Sequence, residues 1–256
     1  MGNLIRMDLY RMWKTKGFLV CLILAFVLAL SLMPFAKLMA FIAGMLTEEK
    51  VPLPETVDLS EILRDPFPLI NGMLVMLSLS AFFYADSENG YIKNIAGQMP
   101  KKGYTILSKF IAAIPLILLF SLVGLIGHVL GTVFFQKIVV DAAWLDSIRI
   151  LLLKMLLMLS ISSILLLVCA VYQSKSLGSV LAVLMGLGLL SLIYLAIDSA
   201  LDQVLPNKGF AISEYMPDQL LGSSNPGTVE ALAVSLVTIA LFLTLSIKVF
   251  DHRDIK

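Results

Sequence analysis

Six apolar runs, each close to the length needed to cross a bilayer, divide this chain and decide what it can become. They lie at about Gly17–Gly44, Phe67–Tyr84, Phe110–Phe135, Ile150–Tyr172, Leu177–Ile197 and Val229–Phe250. A spanning helix needs roughly 20 mostly apolar residues, and all six stretches qualify. Only 14% of the 256 residues are charged, against about 25% in a soluble domain, so the polar surface for a water-soluble fold is missing. The expected fold is all-α: one polytopic membrane domain over residues 1–256 with six transmembrane helices. The first run follows Arg6, Arg11, Lys14 and Lys16 as a secretory signal would. It is longer than a signal core of about 7–15 residues, and no A-x-A site follows it. Cys21 and Cys169 both sit inside apolar runs, which is no disulfide framework.

Orientation follows from Lys and Arg in the loops. With both ends on one side, that side holds 12 of the 19 basic residues and five of the 18 acids. Both termini are therefore expected in the cytoplasm.

Residues 1–16 read as an amphipathic interfacial helix, with Ile5, Leu9, Met12 and Trp13 on one face and Arg6, Arg11 and Lys14 available for lipid head groups. The alternative is a cytoplasmic extension of the first span. Pro34 is expected to kink that span, and Lys37 to snorkel at its outer end. The acidic outer loop Thr47–Asp65 carries Val57, Leu59, Ile62 and Leu63 at a spacing for one short helical turn. Between spans two and three, residues 85–109 are polar. There Tyr91, Ile92, Ile95 and Met99 form an apolar stripe before Pro100, a short amphipathic helix that docks on something.

Gly127 and Gly131 in span three match G-x-x-x-G and permit close helix approach. His128 is read either as a packing histidine or as a pathway residue, since no second ligand-type residue stands at ligand spacing. Lys154, about one turn inside span four, is costly there unpaired. It has three outlets: snorkelling, an acid of the outer loops, or a wet cavity. Ser160, Ser162 and Ser163 are expected to bond back to their own helix. The loop Gln173–Ser176 makes spans four and five a tight hairpin. Gly178, Ala182 and Gly186 form a small-residue ridge suited to close contact, between subunits or within one. Residues 198–228 read as an outer amphipathic segment. No repeat relates the two halves.

Catalytic motifs are absent. The chain contains no G-x-x-x-x-G-K-[ST], H-E-x-x-H, C-x-x-C or G-x-S-x-G. No catalytic or metal-ligating residues are expected, no bound cofactor, and no nucleic-acid partner.

Six spans, an interfacial N-terminal helix, inside termini and an extended outer segment resemble the permease subunits of type-2 ABC exporters over essentially the whole chain. The most telling stretch is E-x-G-x-x-K-N at Glu88, Gly90, Lys93 and Asn94, followed by P-K-K-x-Y-x-x-x-S-K ending at Ser108 and Lys109. It is similar to the coupling helix such permeases press against their ATPase. The resemblance implies that Glu88, Gly90, Tyr91, Lys93 and Asn94 meet a separate cytoplasmic ABC ATPase, which carries ATP and Mg. It implies a second permease subunit, identical or paralogous, with spans one and five near the interface between them. It also implies export of an amphipathic peptide, as in lantibiotic export or immunity, or of a lipid or drug, across a bacterial plasma membrane. Two other classes compete: a membrane-embedded enzyme, and a non-transporting immunity protein or receptor.

Overall fold

The computed structural model describes residues 2–47, 54–67, 70–88, 102–172, 174–204 and 211–252. Among them the chain is all-α apart from one pair of three-residue strands. The helices are α1 (Gly2–Lys14), α2 (Lys16–Leu30), α3 (Leu32–Thr47), α4 (Leu59–Arg64), α5 (Asn71–Glu88), α6 (Tyr104–Val133), α7 (Trp144–Tyr172), α8 (Lys175–Gly186), α9 (Leu190–Val204), α10 (Pro217–Gly222) and α11 (Thr228–Asp251). Strands β1 (Thr56–Asp58) and β2 (Lys137–Val139) pair in parallel, Val57 opposite Ile138.

Three helices, α6, α7 and α11, are each long and apolar enough to cross a membrane. The number reaches five if the bent pairs α1/α2 and α8/α9 each form one span. Large apolar side chains lie exposed along them, among them Leu19, Ile23 and Val27 on α2 and Leu236, Val237 and Leu241 on α11. Exposed apolar surface on this scale marks a chain whose solvent is lipid.

Two expected spans are not continuous helices. The first run divides at Ser31. Pro34 lacks the N–H that would bond Leu30 O, and its ring crowds that carbonyl, so α2 stops there and Pro34 falls in the tolerated first turn of α3. The break thus lies three residues before the proline rather than at it. The fifth run divides at residues 187–189, with a bend of 73° between α8 and α9. Gly188 adopts φ +69°, its N–H bonds Met185 O at 3.1 Å, and Leu189 N–H bonds Leu184 O at 2.9 Å. Those paired bonds close α8 with a Schellman turn, for which a glycine in the left-handed region is the low-cost residue.

Close helix contacts are built on glycine. On α6, Gly127 and Gly131 meet the α2 backbone: a Cβ at Gly127 would lie 2.8 Å from Phe26 O, and one at Gly131 would run into Leu30 O. Leu30 O is the carbonyl that Pro34 leaves without its helical donor. The small-residue ridge of α8 packs within the chain, against α5. Gly178 lies on Tyr84 and Ser80, Ala182 is fully buried, and Gly186 sits on the backbone of Gly72 and Met73. Of the two contacts the ridge allowed, between subunits or within one, these three residues make the second, with side chains at Gly178 and with backbone at Gly186. Elsewhere α11 lies along α7, burying Ala231, Ser235, Ser246 and Phe250. In α7 the hydroxyls of Ser160, Ser162 and Ser163 donate to carbonyls three residues back at 2.6–2.7 Å.

Candidate functional site: a charged cavity beneath two short helices

At the end of the bundle away from the termini, two short helices lie over the long ones. The first, α4, is held from three directions. The Asp141 carboxylate accepts from Ser60 N–H at 3.3 Å, across the first turn of α4, where N–H groups lack helical partners. Arg64 Nε donates to Ser147 Oγ of α7 at 3.2 Å. Ile62, at 1% exposure, packs with Val57 and Leu125. The second, α10, is positioned through Asp198 of α9. This carboxylate accepts from Ile212 N–H and Ser213 N–H, both at 2.8 Å, and ties residues 211–216 back onto α9. Leu220 then packs on Leu153, Leu157 and Ala231.

Between them opens a cavity of about 570 Å³. Its charged wall is Glu61, Arg64 and Asp65 from the α4 side, Lys154 from α7 and Asp218 from α10; its floor is the unwound backbone at Gly186–Gly188. Irregular backbone at membrane depth is tolerated where it is buried in protein or lines a wet cavity, which is the situation here. Lys154 is only 5% exposed. Its charge is felt by Asp65 through space, and it makes no hydrogen bond or ion pair with another described residue. Both carboxylate oxygens of Asp218 are buried without a hydrogen-bond partner among the described residues. Burial lifts the Asp218 carboxyl above its usual range, partly offset by nearby backbone N–H groups. At Asp141 burial acts in the same direction, but hydrogen bonds from Ser60 and from the backbone N–H groups of Asp141 and Ala143 together outweigh it, and the carboxyl titrates below the usual range.

Of the three outlets open to it, Lys154 lines a cavity; Asp65 of the outer loop acts on it through space without forming an ion pair. His128 stands on neighbouring α6 and also feels Asp65. Its Nδ1 is buried without a partner among the described residues, and it does not line the cavity. No group of three His, Cys, Asp or Glu among the described residues is placed to hold a metal.

At the termini end, polar side chains knit four helices together. Ser108 Oγ of α6 donates to Asp8 of α1 at 2.5 Å, and Asp8 is buried. Lys109, buried beside it, donates to Phe83 O of α5 at 2.6 Å. Gly103 N–H donates to Asp251 at the end of α11 at 2.6 Å. On α1 the face turned to the protein is Asp8 and Met12, while Trp13 stays half exposed, edge-on to Phe18 at 5.6 Å. Of the expected coupling residues, Glu88 is the last residue of α5, and Gly90, Tyr91, Lys93 and Asn94 lie outside the described residues.

The sequence did not show that Asp218, Arg64 and Asp65 line one cavity with Lys154. They come from separate segments and share no spacing that could have joined them. The Asp8–Ser108 bond spans 100 residues and had no local signal either. No protein-family profile matches the sequence, and no curated protein matches it at a significant level.

Proposed function

We propose that this chain is the permease subunit of an ATP-driven exporter of the type-2 ABC kind, with six spans and both termini in the cytoplasm. A second permease subunit completes the pathway, and a cytoplasmic ATPase holds ATP and Mg. The cargo is an amphipathic peptide or another hydrophobic molecule leaving the cell or membrane. The observation that carries this reading is the polar knot that ties α5 and α6, the helices before and after residues 89–101 in the chain, to each other and to α1 and α11. The helix before that segment, α5, and the helix after it, α6, are tied to each other by Lys109, to α1 by Ser108 and to α11 by Gly103. A partner pressing on the segment would push on four helices at once, because bonds of a charged group to buried backbone or hydroxyl are stiff and costly to break. In this scheme α1 lies in the inner head-group layer, anchored by Trp13, Arg11 and Lys14.

The far-end cavity also suits the second reading, a non-transporting immunity protein that holds a peptide without moving it. The readings separate in one experiment. The permease reading predicts a P-loop ATPase encoded beside the chain. Everted vesicles containing both proteins should take up a fluorescent amphipathic peptide only with ATP. Uptake and stimulated hydrolysis should fall together when Glu88 and Lys93 are both replaced by Ala. Peptide binding that is indifferent to ATP and to those substitutions would favour the second reading and remove the first.

A further inference from the structure

We propose that the cavity beneath α4 and α10 binds a zwitterionic group, a primary ammonium joined to a phosphate or carboxylate, with the anion on Lys154 and the ammonium on Asp218. Burying a charge is expensive unless it is paired and hydrogen-bonded. Here two residues of opposite charge line one void and do not pair with each other. Lys154 is 5% exposed, and no described carboxylate forms an ion pair with it. Asp218 keeps both oxygens buried and makes no hydrogen bond of good geometry with the described residues, the backbone N–H groups of Asp218 and Gln219 lying nearby. An anion alone would answer Lys154, strand Asp218, and meet the further acids Glu61 and Asp65. A cation alone would answer Asp218 and leave the ammonium of Lys154 buried. An occupant with both poles satisfies both walls.

The space fits. A cavity of about 570 Å³ lies within the range of roughly 300–1,000 Å³ typical of small-molecule sites. Glycine makes part of the floor: the Cβ position of Gly188 meets nothing within 4 Å, so an approaching group meets backbone there rather than side chain. The same chemistry has two sources in a membrane, a phosphoethanolamine head group entering from the leaflet or the free amine and carboxylate of a peptide.

The test uses the purified full chain in detergent, without any ATPase, so its failure leaves the permease reading standing. Binding of O-phosphoethanolamine, ethanolamine and inorganic phosphate is measured by calorimetry. The zwitterion should bind at least about tenfold tighter than either half, since each charge-assisted bond gained is of that order. Lys154→Met and Asp218→Asn should each weaken it by about tenfold. Both replacements remove a buried charge at nearly constant volume, and circular dichroism should show the helical content of the parent. Phosphate or ethanolamine binding as tightly as the zwitterion would overturn the proposal, as would binding unchanged in both variants or absent from the parent. In nanodiscs, retention of phosphatidylethanolamine over phosphatidylglycerol, lost in Lys154→Met, assigns the lipid source. Displacement of O-phosphoethanolamine by triglycine assigns the peptide source. If neither occurs, the proposal fails.

Discussion

Replacing Gly186 by Ala tests whether the α8 ridge is used inside the subunit. A Cβ there would lie 2.7 Å from Met73 N and 2.8 Å from Gly72 O, with Met73 Cα closer still. Comfortable carbon contacts begin at about 3.5 Å, so α5 and α8 must part by about 1 Å. The obstacle is backbone and has no rotamer to change. Overpacking of this kind costs about 1–3 kcal/mol, and the helix propensity of Ala returns up to about 1 kcal/mol. With the full return the net loss is about 0–2 kcal/mol, and the gap to a glycine that gains the same propensity without a clash is about 1–3 kcal/mol. In lipid there is little hydrophobic force to hold the separated helices, since packing itself is what joins them. Gly178→Ala should cost less, because its obstacle is the Tyr84 ring, a side chain that can tilt. Gly17→Ala meets nothing within 4 Å and should be neutral or slightly stabilising. Reversible unfolding of the full chain in mixed micelles, followed by far-ultraviolet circular dichroism, gives the order. Equal stability of the Gly186→Ala and Gly17→Ala proteins would refute the close α5/α8 contact and leave the ridge free for another subunit.

Other outcomes follow from the same geometry. Gly131→Ala should destabilise by about 1–3 kcal/mol in the same assay, because its Cβ would strike Leu30 O. Asp8→Ala should loosen α1 through loss of the Ser108 bond; in a Trp144→Phe background, the emission of Trp13 should shift to longer wavelength. The folded carboxyl of Asp218 titrates above its unfolded value of 3.8, so the folded state binds the extra proton. Stability from this group is full below that value and is lost as pH rises through the folded pKa. Unfolding midpoints across pH 4–7 should fall less in Asp218→Asn than in the parent.

Local signals were legible in the sequence. Long apolar runs gave α6, α7 and α11; the spacing of Leu59, Ile62 and Leu63 gave α4; and the serines of α7 bond back to their own helix as their chemistry dictates. Breaks inside apolar runs were not legible. Hydropathy averages over Gly186–Gly188 and cannot see a Schellman turn, and Pro34 announces a disturbance without saying that Leu30 is where the helix ends. Long-range pairings were hidden for a different reason. The β1–β2 pair, the hold of Asp141 on Ser60 and the sharing of one cavity by Lys154 and Asp218 join distant segments, and nothing in either segment alone names the other. The small-residue ridge lay between these cases: its fitness for close contact is local, but which helix takes up the contact is a property of the whole fold.

In the proposed permease, force enters through the segment between α5 and α6. The direct measurement places a single cysteine at Lys93, with Cys21 and Cys169 replaced, and follows its labelling by a membrane-impermeant maleimide. The account predicts labelling in everted vesicles but not in intact cells, and protection when the ATPase is bound. Labelling from the outside of intact cells would contradict it.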